Sequence, residues 1–150
     1  MEIIILSILI LFNGFFSLSE IAIVSSKTTR LEQYRSTGKK GAVTALRLRS
    51  DSEMFLSAVQ VGITLISLIT GAYGGISLAE NVVPFFAKFN ILRPYAHGIS
   101  IVLIMFLITY FSIVLGELVP KTIALGNPEK VAIRVAPLIN FFSKMFYPFV

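Results

Sequence analysis

Residues 98–122 read GISIVLIMFLITYFSIVLGELVPKT. From Gly98 to Gly116 the run carries no charge. At 1.5 Å of rise per residue it is long enough to cross roughly 30 Å of hydrocarbon as a helix. The apolar block covers residues 98–119, and two further apolar blocks, residues 3–24 and 54–79, are at least as long. The chain is 55% hydrophobic, with only 14% charged residues, where a soluble domain carries about a quarter. The blocks are continuous rather than striped, which predicts three membrane-spanning helices and an all-α integral membrane protein.

The first block reads as a retained helix rather than a cleavable leader. Its only early charge is Glu2, its apolar run exceeds the roughly 7–15 residues of a signal core, and no A-x-A site follows. The chain has no cysteine and one histidine, His97, which excludes disulfides, thiolate sites and a multi-histidine metal centre. The net charge of +5 is unevenly placed. Lys27, Arg30, Arg35, Lys39, Lys40, Arg47 and Arg49 lie between the first two blocks. Lys121, Lys130, Arg134 and Lys144 follow the third, leaving Lys88 and Arg93 between the second and third. The positive-inside rule then places residues 25–53 and the C-terminal segment in the cytoplasm, with the N-terminus and residues 80–97 outside. Topology and lipid headgroups account for these charges, and nucleic acid is not an expected partner.

Residues 25–53 read as a cytoplasmic helical connection, with segments Thr28–Ser36 and Ala42–Arg49 around a turn at Gly38–Gly41. Ser50-Asp51-Ser52-Glu53 offers capping groups for the second span. Asn81, Pro84, Asn90 and Pro94 make residues 80–97 a loop or short interfacial helix. Asn127-Pro128-Glu129 has the form of a helix start. Residues 129–150 then suit an amphipathic juxtamembrane helix lying along the inner surface, kinked at Pro137, better than a fourth span.

Each span carries one stripe of small or oxygen-bearing side chains at about 100° per residue. Asn13, Ser17 and Glu20 share a face of the first, with Ser19 about a quarter turn away. Ser57, Gln60, Thr64, Ser67, Gly71 and Gly75 form the stripe of the second. Thr109, Ser112, Gly116 and Pro120 align in the third, bordered by Glu117. Helix packing explains many of the small residues. It does not explain Glu117. A charge at mid-membrane costs roughly 2.5–3.5 kcal/mol even on gentle scales, and no lysine or arginine lies within the three blocks to pair with it, Lys121 following the third. Pro120 has no N–H, so the Gly116 carbonyl four residues back loses its helical donor beside the Glu117 carboxylate. Carboxylate, carbonyl and hydroxyl oxygens are hard ligands that suit Mg²⁺ or Ca²⁺. The stripes therefore predict a cation site at the centre of the bundle. No histidine or other catalytic partner accompanies the carboxylates in the spans, so an enzyme is not expected.

NGFFSLSEIAIVS at 13–25, QVGITLISLITG at 60–71 and GELVPKTIA at 116–124 together resemble the transmembrane domain of the CNNM/CorC (cyclin-M-like) magnesium transporters, also labelled hemolysin-like. The resemblance covers essentially the whole chain. It implies a homodimer in the plasma membrane (the inner membrane of a bacterial cell), with three spans and a juxtamembrane helix per protomer. It also implies Mg²⁺ efflux, with Na⁺ influx as the proposed driving force. By the same resemblance the Mg²⁺ ligands map onto Ser17 or Ser19, the Gly116 carbonyl and the Glu117 carboxylate. Many relatives resemble Gly-Asn-Asn where this chain has Gly62-Ile63-Thr64, so Thr64 or Ser67 would replace an amide oxygen by a hydroxyl. Asn13, Glu20, Gln60 and Pro120 are supporting residues. Family members usually continue into nucleotide-binding CBS modules and a C-terminal domain, so this chain reads as a fragment of a longer protein. The alternative is a non-transporting dimeric membrane anchor or Mg²⁺ sensor for such cytoplasmic domains.

Overall fold

The computed structural model describes residues 1–149, all-helical apart from short connections. The order is α1 (Glu2–Ser25), α2 (Thr28–Ser36), α3 (Lys40–Ser50), α4 (Ser52–Ala87), α5 (Ala96–Ile113), a π-helical turn (Val114–Leu118), α6 (Val119–Gly126) and α7 (Pro128–Phe146). Three helical stretches are long and apolar enough to cross a membrane: Glu2–Ser25, Ser52–Ala87 and Arg93–Gly126. The chain is an all-α membrane protein with three spans, as the hydropathy predicts.

The boundaries differ from the sequence reading in two places. Helix α4 does not end near residue 79 but continues through Pro84 to Ala87. Pro84 is exposed and in the last turn, so it forfeits one hydrogen bond, to a carbonyl near the helix end. The third helical stretch likewise runs past Pro120 to Gly126, because the turn before the proline widens instead of breaking. Asp51 and Asn127 are N-caps as expected, but neither side chain makes a capping bond; only their backbone carbonyls accept, from Phe55 and Val131. Helix α7 also continues unbroken through Pro137, which lies on its exposed face.

Two cores hold the bundle. The larger joins α1, α3, α4 and α7 around Phe16, Phe55, Ala132, Ala136 and Ile139, and the smaller joins α1, α4 and α5 through Leu6, Ala79, Ile104 and Ile108. Phe142 of α7 lies 5.2 Å from Phe12 and 5.5 Å from Phe16, ring to ring. Such tilted and edge-on pairs add to the area that the rings bury. Helix α3 approaches α7 so closely that a Cβ on Gly41 would fall 2.0 Å from the Ile133 carbonyl oxygen. Gly41→Ala should therefore destabilise the fold toward the upper end of about 1–3 kcal/mol, despite a helix-propensity gain of about 1 kcal/mol. Thermal unfolding of the purified variant checks this, and an unchanged midpoint would refute the close contact.

The chain leaves α1 through a polar joint. Arg49 donates to the Ile23 carbonyl at 3.2 Å, to the Val24 carbonyl and to the Thr28 hydroxyl at 3.1 Å, which satisfies carbonyls that every helix C-terminus exposes. Glu129, buried in the first turn of α7, accepts from the Lys27 N–H at 3.1 Å and pairs with Arg30 at 3.7 Å. Burial raises the Glu129 pKa, but the Lys27 N–H, its own N–H and the charges of Arg30 and Lys27 outweigh it, so the net shift is downward. A depressed carboxylate stabilises the fold above its unfolded pKa and loses that contribution as pH falls through its folded value. Glu129→Gln should cost about 1–2 kcal/mol near neutral pH, and its deficit should shrink as pH drops into the acidic range. Unfolding midpoints of both proteins between neutral and acidic pH measure the gap. A constant gap would contradict the assignment.

Candidate cation site at the proline-linked turn

The π-helical turn sets the site. Val119 donates its N–H to the Val114 carbonyl, five residues back, and Pro120 has no N–H to offer either Gly116 or Leu115. Two consecutive carbonyls, Leu115 and Gly116, thus lose the donor four residues on that a regular helix would give them, where the sequence predicts one. Helix α1 lies directly against them. A Cβ on Gly14 would meet the Pro120 ring at 3.0 Å and the Leu115 carbonyl oxygen at 3.3 Å, and one on Gly116 would meet Asn13 Nδ2 at 3.1 Å. Glycine at both positions lets the two backbones approach.

The face of α1 presented to the turn is the predicted one. Asn13 Nδ2 donates to the Gly116 carbonyl at a long 3.5 Å. Asn13 Oδ1 and, one turn on, Ser17 Oγ are fully buried with no hydrogen-bond partner among the described residues. Such orphaned oxygens are costly unless something else satisfies them. Ser19 is also buried, but its hydroxyl donates to the Phe15 carbonyl of its own helix at 2.7 Å. Ser17, between Gly14 and Glu20 on one face, is therefore the better placed of the two serines.

At the next level the carboxylates meet. Lys121 Nζ lies 3.9 Å from Glu20 Oε2 and 3.9 Å from Glu117 Oε2. Lys121, which the sequence places just past the third block, is thus a basic partner of Glu117. Because the helix continues through Pro120, Lys121 sits one turn beyond Glu117, at the i,i+4 spacing that brings side chains together. That spacing was the available signal. It was obscured by ending the span at the proline.

The second-helix stripe does not join this cluster within one chain. Ser57, Gln60, Thr64 and Ser67 are exposed, while Ala58, Val59, Gly62, Ile63 and Ile66 form the buried side of α4. Gly62 faces Phe16 and Phe146, where a Cβ would fall 2.9 Å and 3.1 Å from the rings. The buried apolar face sets the rotation of α4 and leaves its polar stripe outward. Thr109 is exposed and Ser112 half-buried.

The groups on or beside the turn are thus two carboxylates that share Lys121, two carbonyls without their usual helical donor, a buried amide oxygen and a buried hydroxyl. Among the described residues no cluster of three His, Cys, Asp or Glu side chains occurs, so the donor set is oxygen of mixed type. That is the chemistry of a small hard cation, and the orphaned Asn13 and Ser17 oxygens fit it.

Similar proteins share the whole span. The family model for the cyclin M transmembrane N-terminal domain matches residues 4–150. The UPF0053 protein sll0260 of Synechocystis is 46% identical over the full chain, which covers 34% of that protein. The UPF0053 protein YrkA of Bacillus subtilis is 32% identical over 99% of the chain, again 34% of the relative. A polyamine export protein of Haemophilus influenzae is 26% identical over 95% of the chain and 33% of its own length. The chain spans about a third of the length of these curated relatives. With its three spans, its G-E-x-x-P turn and this match from end to end, the chain belongs to the CNNM/CorC family as its cyclin M transmembrane N-terminal domain.

Proposed function

We propose that this domain moves Mg²⁺ across the membrane through the oxygen cluster at the π-helical turn. The single observation that carries the reading is the approach of the Asn13 amide to the Gly116 carbonyl, next in sequence to Glu117, on a face of α1 whose Asn13 and Ser17 oxygens are buried without a hydrogen-bond partner among the described residues. Glu117 supplies charge, Gly116 and Ser17 supply neutral ligands, and Asn13 and Glu20 complete the surroundings. Family membership supports membrane transport, and a relative named for polyamine export has a cationic cargo of another shape. The close packing of Gly14 and Gly116 favours a compact ion here.

Efflux coupled to Na⁺ entry completes the proposal. The plasma membrane is the proposed location, with the N-terminus outside, the 25–53 connection and C-terminus cytoplasmic, and α7 as the juxtamembrane helix. Gln60, Thr64 and Ser67 form a polar stripe on the exposed face of an apolar span, a surface that a second copy of the chain would cover in a homodimer. CBS modules of the longer protein are the proposed cytoplasmic partners. That Thr64 and Ser67 lie outside the cluster favours, as second reading, a Mg²⁺ sensor or anchor. The deciding experiment is Mg²⁺ flux into proteoliposomes holding the full-length protein, beside Mg²⁺-dependent thermal stabilisation. Stabilisation and flux together support transport, stabilisation alone supports the sensor, and the absence of both would overturn the cation site and leave only the anchor.

A further inference from the structure

Lys121 has no part in the transport reading, yet it is the cation that bridges the two carboxylates of the cluster. Its Nζ makes equal 3.9 Å contacts with Glu20 on α1 and Glu117 on the π-helical turn. Its side chain is 35% exposed, so protein atoms do not enclose the ammonium and it has room to move. The lysine stem is a flexible four-carbon tether carrying a compact point charge, anchored one helical turn from Glu117. With the ammonium in place, the Glu20–Glu117–Lys121 group carries one net negative charge. A divalent ion entering that group would meet a positive charge a few ångströms away, whereas with the ammonium withdrawn the same ion would neutralise the pair. Like charges at this separation repel by a chemically significant amount wherever water screens them incompletely.

We propose that Lys121 is a tethered competitor of the transported cation: its ammonium holds Glu20 and Glu117 together until an ion displaces it, and its return helps to eject the ion. This inference rests on the cation-site reading. It also supplies what a transport site needs beyond ligands, since binding must be weak enough for the ion to leave. A divalent cation and the ammonium are alternative counter-ions of one carboxylate pair.

The test is a Mg²⁺ titration, by calorimetry, of the full-length protein in detergent. Wild type is compared with Lys121→Met, Lys121→Gln and Glu117→Gln. Loss of the competing charge should tighten Mg²⁺ binding about tenfold or more in Lys121→Met and Lys121→Gln, while slowing flux at saturating Mg²⁺. A folded Lys121 variant with unchanged or weaker affinity overturns the proposal and leaves the cation site standing, provided Glu117→Gln still abolishes binding. If Lys121→Met does not fold, Lys121→Gln decides by the same criterion. If Glu117→Gln binds Mg²⁺ like the wild type, the cation-site reading falls and the competitor role falls with it.

Discussion

Glu117→Gln is expected to abolish the stabilisation that millimolar Mg²⁺ gives the wild-type protein, with at most a small change in the ion-free unfolding temperature. Two features of the site separate these effects. Mg²⁺ sites built from neutral oxygens are weak, because affinity follows the number of ligand charges. Removing even an outer-shell partner of a metal ligand typically costs 10–100-fold in affinity, so loss of the charged ligand itself should cost about 100-fold or more. Stability without the ion responds less. The Glu117 side chain is 40% exposed and its pair with Lys121 spans 3.9 Å, and exposed ion pairs contribute about 0–1 kcal/mol. Glutamine also keeps the shape and one acceptor oxygen. A variant stabilised by Mg²⁺ as strongly as the wild type would remove Glu117 from the site.

The sequence made parts of this arrangement readable and concealed others for definite physical reasons. The three spans were legible because hydrocarbon demands a long, predominantly apolar run, and residues 3–24, 54–79 and 98–119 each supply one. Their ends were less so. Pro84 and Pro120 read as breaks, but one falls in an exposed last turn and the other follows a widened turn that absorbs it. The juxtaposition of Gly116, Glu117 and Pro120 could be read directly, since the lost N–H is a local covalent fact. The meeting of Asn13 with Gly116 followed from the periodicity of α1 once that polar face was turned inward.

Periodicity misled at α4. It correctly groups Gln60, Thr64 and Ser67 on one side, but a pattern does not say which side a neighbour covers. The Ala58, Gly62 and Ile66 side packs inward because it accepts Phe16 and Phe146. Lys121 was hidden by a different error, the truncation of the third helix at its proline. Gly14 carries no signal of its own, and its role needs the Leu115 carbonyl and the Pro120 ring in place.

Pro120→Ala should make the protein more stable and less able to bind its ion. Alanine restores an N–H within reach of the carbonyls at 115 and 116, and in hydrocarbon an unsatisfied carbonyl is costly. Relief of the proline penalty, about 3 kcal/mol in a helix interior, is offset in part by the packing lost where the Pro120 ring lies so near Gly14 that a Cβ there would fall 3.0 Å from it. A net gain in the ion-free state, smaller than the full proline penalty, is the expected result. The same N–H would claim the Gly116 carbonyl as a helical acceptor and remove the reason for the π-helical turn, so Glu117 would rotate relative to Asn13 and Ser17. Mg²⁺ affinity should fall at least about tenfold, as expected when a group that shapes a metal site is lost. Paired measurements of unfolding temperature without ion and of Mg²⁺ dissociation constant decide the matter. A stabilised variant with wild-type affinity would exclude the Gly116 carbonyl as a ligand. A destabilised one would mean that the ring's contact with Gly14 outweighs the bond it forbids. The expected combination identifies the proline as a feature that holds two carbonyls out of the helix, at a cost in stability, so that an ion can use them.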